Sequence, residues 1–210
     1  MPVQEHLLPA MAPLLTAVNL IGIAFFAASG AILAARKRQT LVTFIFFATV
    51  TGVGGGTVRD LMIGAPIFWV HDNMILLICL LGGLAVWMTP ARLWEGKALD
   101  WLDALGLAAY ASYGAAKAVT AGVAPVPAIA LGVITGCAGG IIRDTLAGEP
   151  SILMRPELYV TVAALSAGLM VLLPLAGMPG WMAASAAVLC GFALRACAIR
   201  FELGLPSYNR

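Results

Sequence analysis

Residues 51–60 read TGVGGGTVRD, and residues 135–144 read TGCAGGIIRD. Both run on to a Gly-x-Pro, Gly64-Ala65-Pro66 and Gly148-Glu149-Pro150. The offset is 84, and it holds outward from the motif. It places Gly22, Ala24, Ala27, Gly30, Ala31 and Ala34 on Gly106, Ala108, Ala111, Gly114, Ala115 and Ala118. One register kept across two apolar segments and a loop is an internal duplication.

The apolar background says where the duplication lives. Of 210 residues, 61% are hydrophobic and only 10% charged, with a mean hydropathy of +0.97. A soluble domain holds nearer ~25% charged residues, and a chain this apolar has too little polar surface to face water. A spanning helix needs about 20 apolar residues. Seven segments qualify, at about 14–34, 40–62, 73–89, 101–120, 126–147, 158–175 and 180–199. The expected fold class is therefore an all-α membrane protein in a single transmembrane domain. Repeat 1 covers about 14–89, repeat 2 about 101–175, and a seventh helix about 180–199 stands outside the duplication. Three is an odd number, so the second copy enters the bilayer from the opposite side. Inverted repeats of this kind build many transport proteins, with the working site near the midplane where the copies meet.

Basic residues set the expected orientation. Arg36, Lys37, Arg38, Arg92, Lys97, Arg155, Arg195, Arg200 and Arg210 flank one side, against Arg59 and Lys117 on the other. The first side reads as cytoplasmic, which puts the N-terminus outside and the C-terminus inside, in a cell inner (plasma) membrane. The start, MPVQEHLLPAM, shows no basic leader pattern, so the first segment is expected to remain. A net charge of +2 without a basic run gives no reason to expect a nucleic acid partner; membrane lipids are the expected surroundings.

The glycine clusters 52–56 and 136–140 lie deep in helices 2 and 5. Glycine costs ~1 kcal/mol in a helix interior. The clusters therefore serve close helix packing through small-xxx-small patterns, or a break whose freed carbonyls line a pathway, or both. They are not nucleotide loops: Thr57 and Ala138 stand where a dinucleotide fingerprint needs glycine, and no Gly-Lys-Ser/Thr ending follows. Arg59-Asp60 and Arg143-Asp144 are charges within a span, functional candidates by default. The alternative is that each Arg binds its own helix end, just before the stop glycines Gly64 and Gly148. Neighbours at i and i+1 do not face each other on a helix, so different partners are expected for the Arg and the Asp of each pair.

Lys117, matched by Leu33, either snorkels to the interface or pairs with Asp60 or Asp144. Asp103, matched by Asn19, is expected to cap helix 4. Ser29, Ser112 and Tyr113 flank the matched Gly30 and Gly114, offering hydroxyls to a polar path. The five tryptophans sit near helix ends as an interfacial belt. Cys79, Cys137, Cys190 and Cys197 read as buried apolar residues. His6 and His71 stand alone, so no metal site, cofactor or catalytic set is expected, and the chain reads as a non-enzyme.

The paired motifs GVGGGTVRDLMIGAPIFWV and GCAGGIIRDTLAGEP resemble those of bacterial membrane proteins grouped with the trimeric intracellular cation (TRIC) channels. The resemblance runs over about residues 14–200. It implies a three-plus-three-plus-one inverted plan, a homotrimer and a separate pore in each protomer. It further implies that glycine-kinked helices 2 and 5 line that pore and that potassium and sodium pass. The implied pore residues are Gly54, Gly55, Gly56, Gly139 and Gly140, with the Arg-Asp pairs beside them. The Lys-Glu signature of the animal members is absent, since Ala118 follows Lys117. Some bacterial relatives are called glycine transporters, which makes a small-solute carrier the alternative function.

Overall fold

The computed structural model describes residues 3–206, with side chains from residue 13 onward. Arg210 and the side chain of His6 lie outside the described residues. The helices are α1 (Val3–Arg36), α2 (Leu41–Met62), α3 (Asn73–Met88), α4 (Ala98–Thr120), α5 (Pro125–Leu146), α6 (Val160–Leu175) and α7 (Gly180–Phe201). All seven expected segments are helical.

Local chemistry sets several of the boundaries. Thr40 caps α2 by accepting from the Thr43 amide, and Asp72 caps α3 by accepting from Met74. Pro125 opens α5 at the position where its missing N–H costs nothing. The two glycine-proline stops work alike. Gly64 and Gly148 adopt φ of +66° and +67°, a left-handed turn that any side chain would strain. The next amides, Ala65 and Glu149, bond back to the carbonyls of Asp60 and Asp144 at 2.9 and 3.0 Å. This is a Schellman closure, and it fixes each Arg-Asp pair one turn before a sharp reversal.

Two boundaries differ from expectation in ways that matter. Helix α1 begins well before residue 14. Helix α4 starts at Ala98 with Lys97 at its cap, so Asp103 lies in the second turn and caps nothing. Cys190 and Cys197 are exposed, because nothing among the described residues covers the outer face of α7, whereas Cys79 and Cys137 are buried.

The two copies pack alike. Helix α1 holds α2 and α3 as α4 holds α5 and α6, and α7 closes against α4 and α6. The copies then meet on an approximate two-fold axis, α1 against α4 and α2 against α5. Matched residues touch across that axis. Phe26 and Tyr110 meet edge to face at 5.4 Å; a Cβ on Gly22 would strike Tyr110 at 2.7 Å, and one on Gly106 would strike Phe26 at 2.8 Å.

Four helices are long and apolar enough to cross a membrane by length and composition: α2, α5, α7 and the Pro13–Arg36 part of α1. Helices α3 and α6 are apolar but only 16 residues long, about 24 Å at 1.5 Å per residue. Helix α4 is buried along most of its length and carries Asp103 and Lys117 inward. Protein packed on several sides of it buries Asp103 and Ser112 completely.

Candidate functional site

The glycine clusters lie where α2 and α5 cross. Both helices run unbroken through 52–56 and 136–140, so the interruption that would free backbone carbonyls is absent. A Cβ on Gly139 would stand 2.6 Å from the Thr51 carbonyl oxygen, and one on Gly55 would collide with the matched carbonyl of Thr135. Glycine at these two positions lets the backbones touch. Gly54 faces Ile142, Gly56 lies under the Phe68 ring, and Gly140 faces the Tyr159 hydroxyl.

One turn beyond the crossing, on opposite ends of the molecule, sit the two Arg-Asp pairs. All four residues are buried. In each pair the arginine Nε donates to its own neighbour, Arg59 to Asp60 Oδ1 at 2.9 Å and Arg143 to Asp144 Oδ1 at 2.8 Å. The expectation of separate partners fails here. The side chains start about 100° apart around the helix, but an arginine stem is long enough to fold back to the adjacent carboxylate. The second oxygen of each aspartate takes the amide of a residue in the following loop, Phe68 at 3.0 Å and Ile152 at 2.9 Å. Phe68 and Ile152 are themselves 84 apart. Among the described residues neither arginine side chain bonds a helix carbonyl, so helix-end capping is not what they do there.

The surroundings then diverge. At the Arg59 end, Lys117 Nζ donates to Asp60 Oδ1 at 2.8 Å, which decides between snorkelling and pairing. The guanidinium lies over the rings of Tyr113 and Phe68, at 5.2 and 5.6 Å. Its Nη1 and Nη2, and the buried Oδ1 of Asn19, have no hydrogen-bond partner among the described residues. At the Arg143 end, Nη1 donates to Asp103 Oδ1 at 2.6 Å and to the Ser29 hydroxyl at 3.0 Å. Ser29 in turn donates to the Phe26 carbonyl. Ser112 is buried with no hydrogen-bond partner among the described residues and stays outside both centres.

The Arg143 end opens to the exterior. A cavity of about 250 Å³ there is lined by Leu33, Arg36, Lys37, Arg143, Asp144 and Arg155, among others. Leu33 is the match of Lys117: at the other end, the lysine fills the equivalent approach and binds the aspartate. Across the cavity mouth Lys37 pairs with Glu149, and that lysine holds the Glu149 carboxyl below its ordinary value. Arg36 donates to the Gly96 carbonyl at 2.8 Å. The sequence points to Asp103 as a cap; its 84-residue match to Asn19, a polar residue at the same buried register, is the signal for its place at this centre.

The sequence model of the glycine transporter family matches the chain twice, over residues 16–91 and 100–174. The chain belongs to this family. Its two matches begin 84 residues apart, so the family unit is the three-helix repeat itself. Relatives within it include a membrane protein of Vibrio cholerae, 39% identical over 93% of this chain and 83% of its own. Another is the inner membrane protein YadS of Escherichia coli strain K12, 35% identical over 91% and 94%. Solved structures place the fold with the TRIC channels. The trimeric intracellular cation channel orthologue from Rhodobacter sphaeroides is 37% identical, with a TM-score of 0.84 over 90% of this chain and 99% of that one. A prokaryotic TRIC channel crystallised in 0.5 M KCl superimposes with the same score, 0.84, at 26% identity. The inverted seven-helix plan is thus shared with those proteins. The family is one of membrane proteins, as the apolar helices require.

Proposed function

We propose that this chain is a monovalent cation channel for potassium, and also sodium, assembled as a homotrimer with one pathway per protomer. The neighbouring structures support a cation channel, and the Rhodobacter orthologue is described as trimeric. The pathway runs beside the α2–α5 crossing, from the cavity over Arg143 and Asp144 to Asp60 and Lys117 at the far end. Gly54, Gly55, Gly56, Gly139 and Gly140 form its narrow middle, with Ser29 beside the inner end and Ser112 behind the wall.

The observation that carries this reading is the unequal closure of two matched ends. The Arg143 centre lies at the floor of an open cavity. The Arg59 centre is shut by Lys117 on Asp60. A pathway caught open at one end and latched at the other is a closed channel, and the latch is a single ion pair whose lysine side chain is 23% exposed. Planar-bilayer recording tests the proposal: unitary potassium currents are expected, with Lys117→Leu raising open probability severalfold. Silent bilayers with wild type and variant alike would defeat it.

A second reading, transport of a small zwitterion such as glycine, is favoured by the unpartnered Nη groups of Arg59, which suit a carboxylate. It predicts saturable glycine uptake into liposomes without unitary current. In the membrane, the end carrying Arg36, Lys37, Lys97, Arg155 and Arg195 faces the cytoplasm, by the excess of basic residues there. A Gln39→Cys reporter, with Cys190 and Cys197 replaced, is expected to resist labelling by an impermeant maleimide in intact cells.

A further inference from the structure

The two centres carry opposite surplus charge. Around Arg59 stand one further cation, Lys117, and one carboxylate, Asp60, a balance of plus one. Around Arg143 stand two carboxylates, Asp103 and Asp144, a balance of minus one. Of the next charges outward, Arg195 pairs with Glu157 at 2.6 Å, Arg155 lies 3.6 Å from Asp100 and Lys37 pairs with Glu149, while Arg36 on the cavity wall meets a carbonyl. Within the buried centre itself the surplus rests on Asp103. This carboxylate gives Oδ1 to Arg143, while its buried Oδ2 has no hydrogen-bond partner among the described residues. An uncompensated carboxylate in such an interior is neutralised by a proton or met by a counter-ion.

We infer that Asp103 is the binding residue for one monovalent cation per protomer, and that the first repeat, with Asn19 at the matched position, holds none. Oxygen ligands stand ready. The Tyr159 hydroxyl and Asp103 Oδ1 converge on the bare side of Gly140, where a Cβ would meet them at 2.9 and 3.5 Å, with Arg143 Nη2 beside them at 3.6 Å. The Ser29 hydroxyl lies against the same arginine. Carboxylate and hydroxyl oxygens are the donors that replace water around a hard cation. Asp103 is fully buried, so the ion enters as Arg143 lets it go. Arg143 can do so without losing its anchor, since Asp144 already holds it through Nε and Nη2, both at 2.8 Å. This inference deepens the channel reading and rests on it for the identity of the ion, but binding can be read without flux.

The test uses the purified full chain in detergent at constant ionic strength, with potassium chloride exchanged for N-methylglucamine chloride, and reads the thermal midpoint. Wild type is expected to rise saturably with potassium, Asp103→Glu to keep the response, and Asp103→Asn to lose it. An unchanged response in Asp103→Asn would overturn the inference, as would a midpoint that follows pH and ignores potassium, the mark of a proton at Asp103. Should Asp103→Asn fail to fold, Asn19→Asp combined with Lys117→Leu decides. That variant gives the Arg59 centre the charges of the Arg143 centre, and a second potassium response is expected; a response identical to wild type would overturn the inference. In the same preparation, potassium-dependent stabilisation without unitary current would leave the site standing and remove the channel reading.

Discussion

The Arg59 and Arg143 centres descend from one sequence, share one backbone geometry and differ at the side chains that set their charge and access. Lys117 stands against Leu33, Asn19 against Asp103, and Tyr113 against Ser29. Two of these changes shift the Arg59 centre towards positive charge, and Tyr113 replaces the hydroxyl offered by Ser29 with a ring face. What stayed fixed is the scaffold: the Arg-Asp bond, the aspartate's grip on the next loop, and the Schellman stop. What varied is the access. One end has an open cavity and a carboxylate with an oxygen to spare, and the other a lysine latch. The duplication supplied two matched half-sites, and in the proposed channel these substitutions make one the mouth and the other the gate.

The crossing that positions both ends is where the largest effects are expected. Leucine at Gly55 or Gly139 drives a side chain into a carbonyl of the facing helix. Backbone cannot retreat as a flexible side chain can, so both variants should lose the folded trimer, seen by size-exclusion chromatography after membrane extraction. Because α2 and α5 are unbroken, a folded Gly139→Leu protein with blocked flux would mean that the crossing is loose enough to serve as the path itself.

Next come the arginines. Arg143→Met strands two buried carboxylates, Asp103 and Asp144, and loss of one partner from a buried ion group costs about 3–5 kcal/mol. Arg59→Met leaves Asp60 with Lys117 and the Phe68 amide and removes two unpartnered buried groups. It should stay within about 1 kcal/mol of wild type, since replacing buried charge by apolar volume is often neutral. Chemical denaturation of both variants checks the contrast, and equal losses would break the proposed difference between the centres.

Lys117→Leu should come third. It makes the closed end resemble the open one at that position, raising open probability severalfold with a modest loss of stability. The converse change, Leu33→Lys, should place an ammonium within reach of Asp144 and reduce current. If neither moves open probability, Lys117 is a structural partner of Asp60 and no latch.

The smallest effect concerns the clamp over the cavity mouth. Lys37 lowers the Glu149 carboxyl below its ordinary value of 4.5, so the folded state favours the ionised form. That contribution is present above the ordinary value and is lost as pH falls below it towards the depressed folded value. The pair is exposed, and solvent screens it. Glu149→Gln should therefore slightly flatten the fall of the thermal midpoint below about pH 4.5, and leave the midpoint at pH 7 nearly unchanged.

Sequence by itself determined the membrane class, the seven helices, the 84-residue duplication and its inversion, because these rest on apolar length, on punctuation by Gly64-Ala65-Pro66 and Gly148-Glu149-Pro150, and on counting spans. It also singled out Arg59, Asp60, Arg143, Asp144 and Lys117, since charge in an apolar run stands out against its background. Only the tertiary structure decided what those charges touch. Spacing on one helix argued that Arg59 would avoid Asp60, yet side-chain reach and a low-dielectric interior brought them together. Asp103 looked like a cap because a local reading sees only its own helix; its partner lies 40 residues away on α5. Glycine content left packing and breakage equally open until the facing carbonyls of Thr51 and Thr135 were in place. A repeat fixes which residues correspond, but the charge at each end of the axis arises from contacts between helices that no single stretch of chain contains.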